Sequence, residues 1–330
     1  MLPVQTLTTE SFASLAQQYG TARTFEDSSL VTSLLSREVS PFCLDETSFS
    51  NLKQLPGETS GDDAVVTFLE DAEGRQYVLK QIKLDSLDEQ ISLIKEYVVA
   101  KVGKAAHIPI AKTYMIPKEW QNSAKPYKDK AAILQIKVPG KILRELKDGG
   151  VISIHQKNYS KYTKEMWETR FGVLSPSEKG LTRSVLQSMI QHEDLIKLVA
   201  FDTFINNSDR SAPNVIYDDK EDRYYGIDHF SAFSNRSLAA HALRQISDYK
   251  APLTSKEKEG LVTYLEVLKT LHKHFTPEKI SSEIDKMLAL HFPEYEKNED
   301  AKDRVQFYKK MIAENYEDVR KLIQLLEKMI

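Results

Sequence analysis

The sequence has little cysteine, almost no net charge and no long apolar run. Its 330 residues include a single cysteine, Cys43, so no intramolecular disulfide can form, which is typical of proteins in reducing compartments. One cysteine and scattered histidines also provide no zinc-ligand spacing. The 45 basic and 48 acidic residues nearly balance, so the overall charge does not predict binding to nucleic acid.

Targeting signals and several enzyme motifs are also missing. The N-terminus, MLPVQTLTTESFASLAQQYG, lacks a basic segment followed by an apolar run, so no secretory signal peptide is expected. No stretch approaches the roughly 18 to 20 apolar residues of a membrane span, and we expect a cytoplasmic protein. The sequence contains neither the G-x-S-x-G of serine hydrolases nor the G-x-x-x-x-G-K-[ST] of Walker-type enzymes.

Strand and helix patterns predict an α+β fold in which a small β-rich lobe precedes a large helical one. Strand signals at 65–70 and 76–84 flank the turn 71–75 and indicate a hairpin. A helix is predicted over 87–102, ended by Gly103, and a strand over 131–138. Later helices are predicted at 192–206, 237–247, 254–275, 277–291 and 300–329. The predicted regions are an extension (1–48), a β-rich lobe (49–138), a helical lobe with the catalytic loops (139–250) and a C-terminal helical region (251–330).

Three polar residues near the middle of the chain predict phosphoryl transfer. Asp209 and Asn214 have the D-x-x-x-x-N spacing of a kinase catalytic loop, and Asp228 follows the strand-like run 224–227. Phosphoryl transfer needs a carboxylate beside the attacking hydroxyl, and an amide oxygen and a second carboxylate to hold Mg²⁺. For Asp209 a turn or helix cap is the alternative, because Asn-Ser-Asp sequences often build such features.

Lys80 is the predicted contact for the phosphates of a nucleotide. It lies in the middle of an apolar strand, YVLKQI, where a lysine needs a partner. Glu96 on the following helix is the predicted partner, and Glu89 competes if that helix begins earlier or turns differently. A solvated lysine at a sheet edge is the alternative.

The segment 56–63, PGETSGDD, precedes the hairpin and is predicted to be a loop. Amides at Gly57 and Gly61 would cover the phosphates there. The segment lacks G-x-G-x-x-G, and an ordinary surface turn is the alternative.

Arg210 and a short segment after the last predicted strand of the first lobe complete the candidate site. Arg210 follows Asp209 and is expected to neutralise phosphate charge or to orient the catalytic loop. Gln135 to Val138 are predicted to contact adenine through their backbone, as a hinge between lobes. His229 is expected to be structural.

One segment is strongly basic within this nearly neutral chain. Between Lys118 and Lys164 there are ten lysines and one arginine but four acidic residues. A solvated face is one explanation. The other is a site for an acidic substrate, a phosphoinositide or an inositol polyphosphate.

The segments NSDRSAPN (207–214) and IDHFSAF (227–233) resemble motifs of the atypical kinases related to HipA toxins and phosphatidylinositol kinases. In those kinases the motifs read N-x-D-R-x-x-x-N and I-D-x-x-x-x-F, and the similarity extends over about residues 52–240. The resemblance implies a two-lobed protein kinase-like fold that uses ATP with Mg²⁺ or Mn²⁺. It implies these roles: Lys80 on the phosphates, Glu96 as its ion-pair partner, Asp209 as catalytic base, and Asn214 with Asp228 on the metal.

More narrowly, the chain resembles divergent effector kinases that bacteria such as Legionella deliver into host cells. This implies a protein serine or threonine as acceptor, inositol hexakisphosphate as activator, and phosphoinositide contact through the C-terminal region. Departures from the kinase pattern are the missing glycine motif, His229-Phe230 in place of D-F-G, and no A-P-E after it. A lipid or small-molecule acceptor, or a pseudokinase that acts as a binding module, stays open as an alternative.

Overall fold

The structure is a computed structural model that describes residues 46–60, 64–82, 87–117, 120, 131–142, 192–208, 210, 214–235, 237–248, 253 and 255–330. No helix within these ranges is both long and apolar enough to cross a bilayer. The predicted region boundaries at 48, 138 and 250 stay predictions.

Within those ranges an antiparallel sheet of five strands forms the β-rich part of the fold. The predicted hairpin is confirmed, because its two strands pair from Ala64↔Ile82 to Glu70↔Gln76. The predicted strand over 131–138 is also present, whereas the sequence patterns miss the edge strand that precedes it. In chain order the strands are β1 (Lys53–Ser60), β2 (Ala64–Glu70), β3 (Gln76–Ile82), β4 (Thr113–Ile116) and β5 (Ala132–Ile136), arranged β1-β2-β3-β5-β4.

The two faces of this sheet have different surroundings. Successive side chains of a strand point to opposite faces, so Leu79 and Lys80 in β3 face opposite ways. The Leu79 face is closed by the short helix α1 (Glu46–Ser50), whose Phe49 is fully buried in an apolar cluster with Leu69 and Leu134. Lys80 lies on the opposite face of the sheet, where it can contact other parts of the molecule.

Strand β1 corrects the prediction of a loop over 56–63. Residues 56–60 belong to the strand, which pairs with β2 as Glu58↔Thr67 and Ser60↔Val65. A register shift between Gln54 and Glu58 places Gly57 in a bulge, where a residue without a side chain is easily accommodated. Gly61 lies outside the described residues.

Helix α2 (Leu87–Ala105) follows β3 in the chain and carries Glu96. Its residues Ile91, Leu93 and Ile94 are fully buried, as the spacing predicts. Gly103 does not end the helix, contrary to the prediction, because the glycine serves packing instead. A Cβ at this position would collide with Ile110 and meet Phe201, so the missing side chain lets α2 pack closely.

After α2, the next helix among the described residues is α3 (Glu193–Ile205), close to the predicted range. The His192 side chain accepts a hydrogen bond from the Asp194 amide, and Asn206 ends the helix in a left-handed conformation (φ 56°), as Asn often does. A small antiparallel sheet is formed by β6 (Lys141–Ile142), which precedes α3 in the chain, and by β7 (Val215–Asp218) and β8 (Arg223–Gly226), which follow it. The patterns indicate β8 but miss β6 and β7.

The C-terminal helices match their predicted ranges within one or two residues. Their apolar stripes face the interior and include Leu268, Ile284 and Leu322, which explains why helical periodicity is clear in the sequence. They are α4 (Leu238–Asp248), α5 (Ser255–His274), α6 (Pro277–His291) and α7 (Glu299–Met329), with a 3₁₀ turn at Pro293–Lys297.

Candidate active site

Lys80 and Glu96 form a buried ion pair between β3 and α2. The Lys80 Nζ lies 2.8 Å from Glu96 Oε1 and 3.2 Å from Oε2. The Lys80 side chain is 12% exposed and that of Glu96 is fully buried. Glu89, the competing partner, lies about two helical turns before Glu96. The structure therefore selects Glu96 as the partner.

The charge of Lys80 depends on its acidic neighbours. Burial lowers the pKa of Lys80, but the negative charges of Glu96 and Asp228 outweigh this effect and raise the pKa above its ordinary value. Burial also raises the pKa of Glu96, which the charge of Lys80 opposes. Removal of Lys80 would therefore leave a buried carboxylate whose pKa is raised by burial and by the charge of Asp228, and is lowered by the hydrogen bond from Gln135.

Gln135 has a role that sequence reasoning missed. Its side chain is buried, and its Nε2 donates to Glu96 Oε1 at 3.0 Å and to Thr113 Oγ1 at 3.1 Å. The amide thus holds the carboxylate that holds Lys80. A lone polar residue in the apolar run AILQI was the available signal. The predicted backbone contact of Gln135 and Val138 with adenine stays a prediction.

A hairpin brings Asn214 and Asp228 to the same place. Strands β7 and β8 pair as Val215↔Gly226, and the Ile227 amide donates to the Asn214 carbonyl at 3.0 Å. Asn214 precedes this hairpin and Asp228 follows it, so both residues lie at its open end. Asp228 has a left-handed backbone (φ 58°) that turns the chain immediately after Ile227.

Asp228 also meets the ion pair from the β-rich part. Its Oδ1 lies 3.4 Å from Lys80 Nζ, and its side chain remains 43% exposed. Lys80 therefore contacts Glu96 on one side and Asp228 on the other, although 148 residues separate Lys80 from Asp228. We call these three residues, Lys80, Glu96 and Asp228, the cleft cluster.

Arg210 is fully buried. Its Nε and Nη2 donate to the two carboxylate oxygens of Asp202 at 2.9 and 3.0 Å. Its Nη1 donates to the Asn214 carbonyl at 2.8 Å and to the Ile227 carbonyl. This geometry fits the predicted role of orienting the loop and not that of contacting phosphate, because the guanidinium holds the backbone beside Asn214 and Asp228.

Asp202 and His229 form a second group of interacting side chains with Arg210. We call these three residues, Arg210, Asp202 and His229, the buried cluster. Arg210 Nη2 lies 2.8 Å from His229 Nδ1. Burial and the positive charges of Arg210 and Lys80 hold the pKa of His229 well below its ordinary value, so the neutral ring accepts from Arg210. Burial raises the pKa of Asp202, which the charge of Arg210 opposes. The predicted structural role of His229 agrees with this position, whereas the sequence alone did not single out Asp202.

Two predicted features lie outside the described residues. One is Asp209, although its neighbours Ser208 and Arg210 are described. The other is most of the basic segment between Lys118 and Lys164. Their predicted roles stay predictions.

The donor set at the open end of the hairpin fits a divalent cation of the magnesium type. Mg²⁺ is bound by one or two protein carboxylates together with the phosphates of a substrate, not by a complete protein cage. No group of three or more His, Cys, Asp or Glu side chains arranged for a metal occurs among the described residues. Asp228 is partly exposed, and the residue before it is hydrogen-bonded to Asn214 across the hairpin. A carboxylate and an amide oxygen at these two positions would form the smaller set that suits Mg²⁺.

Comparisons with known proteins find a kinase family and kinase structures. A family model of HipA-like kinases matches residues 153–255. The proinflammatory kinase CtkA of Helicobacter pylori is similar with a TM-score of 0.50 and 13% identity, over 86% of this chain and 98% of that chain. No curated protein matches the chain. The likeness to CtkA shows that the chain has the two-lobed kinase fold that the sequence predicts.

Two further solved structures are similar at lower TM-scores. The aminoglycoside phosphotransferase of Alicyclobacillus acidocaldarius has a TM-score of 0.29 and 12% identity, over 89% of this chain and 99% of that chain. The maize SIRK1 kinase domain bound to AMP-PNP has a TM-score of 0.32 and 14% identity, over 88% and 97%. These scores are too low to carry an argument.

Proposed function

We propose that the chain transfers the γ-phosphoryl group of ATP to the hydroxyl of a protein serine or threonine. The observation that carries the proposal is the cleft cluster, in which Lys80 contacts both Glu96 and Asp228. A lysine oriented by a helix glutamate beside an exposed aspartate is the arrangement that kinases use for nucleotide phosphates.

Each residue has a distinct task in the proposed reaction. Glu96 and Gln135 fix Lys80, so that its ammonium can bind the ATP phosphates. Asn214 and Asp228 would hold Mg²⁺ or Mn²⁺, which neutralises charge on the phosphates. Arg210 keeps the backbone of both ligands in place.

The chemical step requires a base beside the acceptor. The acceptor oxygen forms a bond to the γ-phosphorus, the bond from that phosphorus to the bridging oxygen of ADP breaks, and the hydroxyl proton passes to Asp209. Asp209 directly precedes Arg210 in the chain, so the ion pair of Arg210 with Asp202 would limit how far Asp209 can move.

The resemblance to effector kinases adds three features to the proposal. Inositol hexakisphosphate would activate transfer, the C-terminal region would contact phosphoinositides, and bacteria would deliver the protein into a host cytosol. Activation by inositol hexakisphosphate is included in the test below, because an enzyme that needs an activator shows no activity without it.

The test is transfer of label from γ-labelled ATP with Mg²⁺ or Mn²⁺, with and without inositol hexakisphosphate, to generic protein acceptors or phosphoinositide vesicles. The informative variant is Asp228→Asn, because Asn tolerates the left-handed backbone at this position but removes the charge. Asp219→Asn, in the exposed turn between β7 and β8, is the matched control.

We expect label on protein with wild type and with Asp219→Asn, and none with Asp228→Asn. Label found only on the vesicles would show that the acceptor is a lipid and not a protein. Nucleotide binding without transfer in every condition would overturn the proposal in favour of a pseudokinase.

A further inference from the structure

The long C-terminal helix α7 contacts two elements that carry the candidate active site. Tyr308 and Asn315 are seven residues apart, about two helical turns, so they lie on one face of α7. Tyr308 reaches α2, the helix that carries Glu96, and Asn315 reaches the end of α3, which leads into the loop 207–214.

Lys95 forms the contact with Tyr308. Its side chain is buried, which is unusual for lysine. Its Nζ lies 4.4 Å from the centre of the Tyr308 ring and donates to the Ala232 carbonyl at 3.2 Å. Lys95 precedes Glu96 in the chain, and Ala232 lies four residues beyond Asp228. The lysine therefore joins α7 to segments adjacent to two members of the cleft cluster.

Asn315 forms the second contact. Its Nδ2 donates to the carbonyls of Thr203 and Phe204 at 2.9 and 2.8 Å, and its Oδ1 accepts from Ser237 Oγ at 3.0 Å. Carbonyls in the last turn of a helix lack partners within that helix. The buried Asn315 thus supplies partners where α3 gives way to the catalytic loop.

Helix α6 provides a further connection between α2 and α7. Lys101 in α2 pairs with Glu283 in α6 at 2.7 Å, and Asp285 in α6 pairs with Lys309 in α7 at 2.7 Å. These pairs are partly exposed and individually contribute little. They show that α2 meets the C-terminal helices at more than one point.

We propose that α7 is a positioning element of the active site, in which Tyr308 holds α2 through Lys95 and Asn315 holds the end of α3. This assigns the C-terminal region a task inside the catalytic unit, in addition to any contact with a membrane. The proposal rests on the proposed function for its effect on transfer but not for its effect on α2.

The experiment compares Tyr308→Leu, Tyr308→Phe and Tyr316→Leu in the full chain. Phenylalanine keeps the ring that faces the Lys95 ammonium, whereas leucine removes it. Tyr316 also lies on α7 but stacks on His272 of α5 at 3.8 Å, so its leucine variant is a matched control for weaker docking of the helix. For each variant we measure kcat and KM for ATP, and hydrogen exchange of the α2 amides without nucleotide.

We expect Tyr308→Leu to lower kcat about tenfold, with KM for ATP within about twofold of wild type, because a desolvated cation–π contact is worth roughly one decade in rate. Amides in 91–100 should exchange about tenfold faster in this variant. Tyr308→Phe should restore both values, and Tyr316→Leu should leave both near wild type.

The two proposals can fail separately. Unchanged exchange in α2 for Tyr308→Leu, or equal effects of Tyr308→Leu and Tyr316→Leu, would overturn the positioning role even in an active enzyme. If wild type transfers no phosphoryl group but Tyr308→Leu loosens α2 selectively, the proposed function fails while the positioning contact stands.

Discussion

The cleft cluster and the buried cluster both combine acidic and basic side chains, but they differ in charge balance and exposure. With its ordinary charges the cleft cluster has two carboxylates for one ammonium, and Asp228 is 43% exposed. The buried cluster pairs one guanidinium with one carboxylate and a neutral imidazole, and Arg210 and Asp202 are fully buried.

This difference separates binding from support. An excess of negative charge that opens to solvent can accept a cation and its attached phosphates. A group whose charges balance and that is closed to solvent uses its hydrogen bonds to hold other parts of the protein, since buried charges are costly unless paired. In the cleft cluster, a second substitution should therefore be able to restore stability without restoring activity. In the buried cluster, activity and stability should fall together.

The largest effect is expected for Lys80→Met in the cleft cluster. Transfer should fall by about 10²-fold or more, because the variant loses the cation that stabilises charge on the phosphates. The variant should also be less stable, because Glu96 is left buried without its cation. Transfer of label from ATP and urea denaturation measure the two effects, with Lys53→Met, at an exposed position of β1, as the control.

The double variant Lys80→Met with Glu96→Gln tests the separation. A neutral amide needs no cation, so the stability lost in Lys80→Met should be regained, while transfer stays as low as in Lys80→Met. Recovery of transfer together with stability would show that Lys80 acts only through folding and would contradict its proposed contact with phosphate.

The next effect is expected for Arg210→Lys in the buried cluster. Lysine cannot reproduce the planar fork that reaches Asp202, two carbonyls and His229, so the free energy of unfolding should fall by about 3 kcal/mol. Transfer should fall as well, because the backbone at Asn214 and Ile227 loses its anchor. Urea denaturation and transfer assays check both.

Arg223→Lys is the matched control for Arg210. Arg223 also pairs with an aspartate, since its Nε lies 2.6 Å from Asp194 Oδ2, but its side chain is 47% exposed. Its substitution should cost less than about 1 kcal/mol. Similar losses in the two variants would remove the distinction between buried and exposed pairs.

Much of the fold and part of the site could be predicted because the signals are local. The C-terminal helices repeat apolar residues at helical spacing over long stretches, and the β2–β3 hairpin alternates around a clear turn. Placement of the strand and the helix reduces the partner of Lys80 to Glu96 or Glu89, and the structure shows Glu96. Strands β4, β6 and β7 have four residues or fewer, too few for periodicity to identify.

The remaining features depend on contacts between distant segments. Gly103 looks like a helix terminator in the sequence, and only its approach to Ile110 and Phe201 shows that it serves packing. Gln135, Asp202 and Tyr308 belong to no motif that the sequence displays. The partners named above lie 39 residues from Gln135 (Glu96), 8 residues from Asp202 (Arg210) and 213 residues from Tyr308 (Lys95), so spacing does not reveal their roles.

The smallest effect is expected at Asp71, a hydrogen-bonded carboxylate outside both clusters. Although its burial acts in the opposite direction, hydrogen bonds from Arg75, Tyr77 and Glu73 lower the pKa of Asp71 from 3.8 to about 2. A carboxyl group with a depressed pKa in the folded state stabilises the fold above its unfolded pKa, and this contribution is lost as the pH falls through the folded pKa. Asp71→Asn should therefore flatten the fall in stability between pH 4 and pH 2 and leave transfer at neutral pH unchanged.

Urea denaturation across this pH range measures the effect of Asp71→Asn, and the neighbouring exposed Glu73→Gln is its control. Asp71 accepts several hydrogen bonds, as Asp202 does, yet it holds no backbone of the candidate site. If Asp71→Asn lowered transfer as far as Arg210→Lys does, loss of any well-bonded charge would suffice to impair the enzyme. An effect confined to acid stability would instead assign the support of catalysis specifically to the buried cluster.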